Sequence, residues 1–458
     1  MGINTLHVLP VNPPGTKRSY GIAGSLYAPL DFLQIDPALR DPNDSRSVDE
    51  QFKYFVDEAH KRGMKVMLDL PSCASYDLYE KRNDLMAIER NGLSKTPQGW
   101  SDIRMLGPWK DETKRELNDA LITMHKQFID KFQSLGIDGI RADVSRTKPT
   151  EFWDIIIPYS RKKDPQFAWL AETYVYEDAS PQLNMMHDRP IDALRAGFDS
   201  FYGQYHIFHE WGTAKEFNDY IKLNLALSKR LPAGKTCLGS FTTHDDKSAM
   251  IHGGENFANM TTIIQSTIPM CNPYFVDGFQ TGDYYNYKYS ETYSDETMTD
   301  NHIMDHHSYQ LDIFNLSRKP GGEYPDMERV LRDTLKMRSE NKDLFADRRS
   351  AFIELDKIGD KKDQIIAYAR HNKGRTALII ANKNPNRRLT GTIIVPGLKS
   401  SQKLVNMAPS YGEKSVFQVA KGEVRVDLAP CSAYVFEIDT PKIPKLRKGH
   451  VYRQKFKD

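Results

Sequence analysis

Three carboxylates stand where short apolar runs end. Asp143 closes Gly139-Ile140-Arg141-Ala142-Asp143, Glu172 closes Trp169-Leu170-Ala171-Glu172, and Asp245 follows Phe241-Thr242-Thr243-His244. A carboxylate after an apolar strand is costly to bury unless it is paired or used. Arg141 lies two residues before Asp143, so in an extended strand both side chains leave the same face. A guanidinium there keeps the carboxylate ionised, the state a nucleophile requires. Taken singly, each acid also reads as the N-cap of the helix that follows. Three at successive strand ends, one with Arg and one with His beside it, favour use over capping.

These acids need strands to carry them. Leu6–Pro10, Lys65–Leu70, Gly139–Asp143, Phe167–Glu172, Gly197–Phe201, Cys237–Thr243 and Pro273–Val276 read as strands. Helices are expected over Val48–Arg62, Asp111–Leu135, Thr150–Arg161, Ala214–Leu231, Asn256–Ser266 and Pro325–Asn341. In the first of these Phe52, Phe55, Val56 and Ala59 share one face, and Gly63 follows as a C-cap. Strands alternating with helices argue for parallel βα units. In a βα barrel the catalytic groups sit at the C-terminal strand ends, where these three acids fall. After about Arg348 the pattern changes to short β-branched runs, Ala351–Leu355, Gln364–Arg370, Thr376–Ala381, Leu389–Val395 and Ala433–Glu437, separated by turn clusters. That is the pattern of an antiparallel β-sandwich.

The expected plan is therefore α/β: a barrel over residues 1–348 with a short insert near 71–110, a sandwich over 349–439 and a basic tail over 440–458. A chain of 458 residues accommodates a barrel of about 250 residues and a smaller partner. Hydrophobic residues at 39% and charged residues at 27% exclude a wholly disordered chain. A net charge of +2 provides no basic field for nucleic acid or a membrane surface. The tail is the local exception, and short charged termini usually remain solvated. Cys73, Cys237, Cys271 and Cys431 are scattered without zinc or disulfide spacing. No apolar run reaches the roughly 18 residues of a membrane span, and the first residues lack a basic export region. These features are read together as a cytoplasmic protein with reduced thiols.

The strand-end motifs, in this order, resemble the α-amylase family, glycoside hydrolase family 13. Gly139–Asp143 is similar to its nucleophile strand, Ala171-Glu172-Thr173 to its acid/base strand and Thr243-His244-Asp245 to its third-acid motif. Pro273–Gln280 is similar to its eighth strand, and Ser25–Asp31 and Val56–Gly63 also have the family's look. Among its branches the chain looks closest to bacterial maltosyltransferase-like members, on Ile3–Pro10, Val48-Asp49-Glu50, Ile137-Asp138-Gly139 and Met337–Asn341. The resemblance implies a retaining double displacement on α-1,4-glucans or maltooligosaccharides. Asp143 would be the nucleophile, Glu172 the acid/base and Asp245 the third acid. His244 would bind the sugar, Arg141 would orient Asp143, and Tyr27 or Tyr20 would stack on a sugar face or serve as ordinary packing. It implies no cofactor.

The resemblance fails in two places. The third strand of the family commonly ends in Asp followed by Asn and His, whereas here it runs Asp69-Leu70-Pro71-Ser72-Cys73-Ala74. No calcium is expected there, one sugar contact is lost, and Asp69 is left to anchor Arg141. The first strand and helix of the family find no match before Gly2-Ile3-Asn4, so the barrel is read as starting at strand two. Trp100 and Trp109 of the insert are read as sugar platforms or core. These departures leave a second reading beside the enzyme, a catalytically impaired member that binds glucan or a partner.

Overall fold

The computed structural model describes the chain except for residues 20–24, 98–101, 174–188, 285–323, 360, 440–449 and 456–458. Tyr20, Trp100 and much of the basic tail lie outside the described residues. Two compact units divide the rest, one built on Ile3–Tyr202 and the other mainly on the described residues from Gly203 onward.

In the first unit β1 (Thr5–Val8) is followed by α1 (Val48–Lys61) and β2 (Lys65–Leu70). An insert follows, with β3 (Cys73–Ser75), α2 (Tyr76–Lys81), β4 (Ile103–Met105) and the hairpin of β5 (Trp109–Asp111) and β6 (Glu116–Leu117). Then α3 (Asp119–Ser134) leads to β7 (Gly139–Ala142), α4 (Thr150–Lys163) to β8 (Ala168–Ala171) and α5 (Pro190–Ala196) to β9 (Ser200–Phe201). β1, β2, β7, β8 and β9 pair side by side, each pair parallel.

Local chemistry sets the helix starts. Ser47 and Glu50 form a reciprocal capping box at α1, and Gly63 takes φ +73° just beyond its end. α3 starts at Asp119 rather than at the expected Asp111. The Asp111 carboxylate accepts from the Thr113 and Lys114 backbone N–H groups and from the Thr113 hydroxyl, a turn that competes with helix. Asn118 then caps α3 through the N–H groups of Ala120 and Leu121.

The second unit holds α6 (Ala214–Ser228), β10 (Thr236–Gly239), α7 (Gly254–Gln265) and β11 (Cys271–Pro273), with β10 and β11 parallel. The last strand starts and stops earlier than the apolar run Pro273–Val276 suggested. Pro273 has no N–H to give, and the N–H of Tyr274 goes to the Gln265 side chain at 2.9 Å instead of to a strand.

After α8 (Pro325–Glu340) and α9 (Lys342–Phe345) come the sandwich strands β12 (Ala351–Glu354), β13 (Lys357–Ile358), β14 (Ile365–Asn372), β15 (Arg375–Asn382) and β16 (Leu389–Ile394). β17 (Val405–Asn406), β18 (Val416–Ala420), β19 (Glu423–Leu428), β20 (Ala433–Asp439) and β21 (Val451–Tyr452) complete them. One sheet runs β17-β20-β15-β14-β12-β21 and the other β13-β16-β19-β18, all antiparallel.

Ile353, Ile365, Leu378, Ile380, Ile393, Val424 and Phe436 fill the space between the sheets. β14 is buried along its whole length because its other face packs on the rest of the unit; Tyr368 meets the Thr267 hydroxyl at 2.7 Å. Within the region read as a tail, Val451 and Tyr452 pair with Ile353 and Phe352. All four cysteines are buried with free thiols. Among the described residues no helix is long and apolar enough to cross a membrane.

Candidate active site

The register of three parallel strands brings the acids of the first unit together. Asp69 on β2 is the Cα partner of Arg141 on β7, so the two side chains share a face. The ladders run one residue past the strand ends: Asp143 N–H donates to the Leu70 carbonyl and Glu172 N–H to the Ala142 carbonyl, both at 3.1 Å. Asp143 and Glu172 therefore stand level at the C-terminal ends of neighbouring strands.

Arg141 is the hub of this cluster. Its Nη1 donates to both Asp69 oxygens at 2.9 Å and to Asp143 Oδ1 at 2.8 Å. Its Nη2 lies 2.8 Å from Glu172 Oε2. Tyr202 and Tyr27 place their rings 5.3 and 5.8 Å from the guanidinium carbon. The Tyr27 hydroxyl donates to Asp69 Oδ2 at 2.9 Å, and His7 Nε2 lies 3.5 Å from the same oxygen. Tyr27 thus spends its hydroxyl on the anchor of Arg141.

Burial decides the charge states. It works against the Arg141 cation, but Asp69 and Glu172 outweigh it and hold the guanidinium well above its usual range. Three carboxyl groups share this one cation, and Glu172 is displaced toward its neutral form. Burial lifts its carboxyl to about 7; Arg141 opposes the rise and the Asp143 charge adds to it. Glu172 Oε2 also accepts the Val144 N–H at 2.6 Å, and the Ser145 hydroxyl donates to the Glu172 carbonyl at 3.2 Å. With the guanidinium beside Oε2 and the Val144 N–H donating to it, the proton of the neutral acid belongs on Oε1.

Asp143 is held from the opposite side by Ser72, whose N–H and hydroxyl both donate to Oδ2, at 3.0 and 2.7 Å. Lys148 is buried nearby, and burial lowers its ammonium to about 8. Ser72, Val144, Tyr202 and His7 are parts of the site that strand-end reasoning does not reach. Ser72 alone had a signal, its place in the segment where the family's Asn and His are missing.

Asp245 and His244 lie in the second unit, beyond the end of β10. His244 is buried with Nε2 3.5 Å from Asp245 Oδ2, and the Asp245 N–H donates to the Thr243 hydroxyl at 3.2 Å. Trp109 is partly buried in the β5–β6 hairpin, with the Arg115 guanidinium 5.5 Å from its ring.

No protein-family model matches the chain. An α-1,4-glucan:maltose-1-phosphate maltosyltransferase of Myxococcus xanthus is 27% identical over 190 residues, 38% of this chain and 27% of the relative. The second such enzyme of Streptomyces coelicolor is 22% identical over 96% of this chain and 63% of the relative. An intracellular maltogenic amylase of Bacillus subtilis is 24% identical over 40% of this chain and 30% of the relative. The chain spans less than two thirds of the length of each of these relatives.

Among solved structures, a maltogenic α-amylase from Thermotoga neapolitana superposes with a TM-score of 0.67 at 20% identity, covering 96% of this chain and 91% of its own. An α-amylase from Lactobacillus plantarum also scores 0.67, at 18% identity, over 95% of this chain and 90% of its own. The class these likenesses define is an α/β barrel protein with a C-terminal β-sandwich. The chain shares the fold of these α-amylases, and the sequence relatives given above are named maltosyltransferases and a maltogenic amylase.

Proposed function

We propose that this chain is a retaining enzyme of α-glucans that cleaves or transfers α-1,4-glucosidic bonds of maltooligosaccharides, starch or glycogen. Asp143 attacks the anomeric carbon and forms a covalent glycosyl-enzyme while Glu172 protonates the departing oxygen. Water or an acceptor hydroxyl then attacks the same carbon. Glu172 takes its proton, and the bond to Asp143 breaks with the electron pair returning to the carboxylate. Two inversions restore the configuration.

The observation that carries this reading is the division of one guanidinium between the two acids. Arg141 Nη1 holds Asp143 and Nη2 holds Glu172, each at 2.8 Å. Glu172 is raised to about 7, the range a general acid needs. A raised acid beside a second carboxyl held by the same guanidinium matches the division of labour in a retaining site. Asp69 and Tyr27 act in this scheme through Arg141. For Asp245 and His244, as third acid and sugar contact, the reading rests on their strand-end motif alone. Free buried thiols and the relative named an intracellular maltogenic amylase support a cytoplasmic setting.

Incubation of the purified chain with maltooligosaccharides tests the proposal, with products followed by chain length and a labelled acceptor present. New chain lengths that disappear in Glu172→Gln support it, and label in the products marks transfer. An unchanged distribution with folded protein, or full activity in Glu172→Gln, overturns it.

A further inference from the structure

We infer that Ser72 is a positioning residue that sets the balance between the two half-reactions by holding Asp143 Oδ2. The inference rests on the retaining reading above. Ser72 sits in the two-residue link between β2 and β3, buried, and makes two donations to a single carboxylate oxygen: N–H at 3.0 Å and Oγ–H at 2.7 Å. Arg141 occupies Oδ1 at 2.8 Å. Both oxygens of Asp143 are thus fixed, one by a cation and one by a neutral pair of donors.

The direction of the Ser72 hydroxyl is set by Asp143 Oδ2, which accepts it at 2.7 Å, and its neighbour is compatible with that direction. Cys73 Sγ lies 3.7 Å from Ser72 Oγ, and burial holds that thiol up at about 12, so it remains S–H. A protonated thiol can donate to Ser72 Oγ, which leaves the hydroxyl hydrogen for Asp143. The chain S–H···O–H···Oδ2 is polarised toward the carboxylate.

A donor on the carboxylate has opposite effects on the two steps. In the first, an Asp143 oxygen bonds to the anomeric carbon, the leaving group departs with the electrons of its bond, and the carboxylate charge is lost. Donors that favour the charge slow this step. In the second, water adds its oxygen to the anomeric carbon and its proton goes to Glu172. The ester bond breaks toward Asp143, and the charge returns. Donors speed this step, so Ser72 favours release over accumulation.

The test uses a maltosyl donor with a fluoride leaving group, which departs without a proton and makes the second step limiting. In Ser72→Ala, kcat falls about tenfold. KM falls with it, kcat/KM holds or rises, and the maltosyl mass on quenched protein persists about tenfold longer after the donor is exhausted than it does in the wild type. Ser72→Cys keeps the volume with a weak donor and shows the same split. A fall in kcat/KM equal to that in kcat, or an unchanged kcat in both variants, overturns the assignment while leaving the retaining reading intact. A wild type that neither releases fluoride nor alters maltooligosaccharides overturns both.

Discussion

The backbone N–H of Val144 donates to Glu172 Oε2 at 2.6 Å from a residue held at φ 33°, ψ 57°. A β-branched residue in the left-handed region is strained, and such strain persists only where the surroundings impose it. Here the imposed turn follows directly on Asp143, so one backbone conformation serves both acids. Val144→Gly keeps the N–H and removes the Cβ. Relief of strain of about 1–2 kcal/mol outweighs the entropy that glycine adds to the unfolded chain, about 0.5–1 kcal/mol. Urea unfolding is therefore expected to show a gain of about 0.5–1 kcal/mol. A loss larger than 1 kcal/mol would mean that the valine side chain, not the N–H, holds the turn.

Glu172 makes activity fall on the alkaline side. Its carboxyl is raised to about 7, first by burial, so the proton needed in the first step is lost as pH rises through that value. The kcat/KM profile is expected to have its descending limb near 7. Glu172→Gln removes this limb and lowers turnover of maltooligosaccharides by about 10²–10⁴-fold. A donor with a fluoride leaving group bypasses the loss in the first step only. A limb that persists unchanged in Glu172→Gln would assign the acid to another residue.

Much of this cluster is legible in the residues themselves. Arg141 and Asp143 two apart on a strand share a face, and the ends of two adjacent strands put Asp143 beside Glu172. Asp69 opposite Arg141 follows once β2 and β7 are neighbours. The contacts of Ser72, Tyr202 and His7 are not legible, because each depends on where a connection or a partner strand returns in space. The same limit explains the element errors. Asp111 lies in a polar stretch that favours helix on average, yet its carboxylate closes a local turn. The run Pro273–Val276 is apolar enough for a strand, but Pro273 has no N–H and the Tyr274 N–H goes to Gln265. In the sandwich, β19 alternates buried Val424, Val426 and Leu428 with polar residues and so has no apolar run to mark it.

Asp102 supplies a pH effect separate from catalysis. It is buried in the insert next to β4, and its carboxylate oxygens meet no side-chain donor among the described residues. Burial raises it to about 7, and its own backbone N–H, the Arg104 charge and the Ile103 N–H offset only part of the rise. A carboxyl raised in the folded state stabilises fully below its unfolded value and loses that contribution as pH climbs through the folded one. Wild-type stability is therefore expected to decline between about pH 4 and 7 by a few kcal/mol from this group. Asp102→Asn flattens that decline. Thermal melts at pH 5 and 8 check it: the difference between the two proteins must grow toward pH 8. A constant difference would mean that Asp102 is solvated or paired when charged.

Arg141 is the residue on which charge and fold meet. It is 1% exposed and faces three carboxylates, two of them bound through Nη1 and one through Nη2. Arg141→Met removes the cation and leaves buried acids without compensation, a change worth about 3–5 kcal/mol of lost stability at pH 7. Acid should rescue part of that loss, because protonating the carboxyls removes the repulsion. Arg141→Lys keeps one positive charge but not the planar fork, and an ammonium cannot hold Asp143 and Glu172 in separate directions. The lysine variant is therefore expected to lose less stability than the methionine variant, and to lose activity by at least an order of magnitude. Denaturant unfolding at pH 5 and 7 beside turnover of maltooligosaccharides separates the two effects. Equal stability of both variants would show that geometry, not charge, is what the buried acids require. Wild-type turnover in Arg141→Lys would show the reverse.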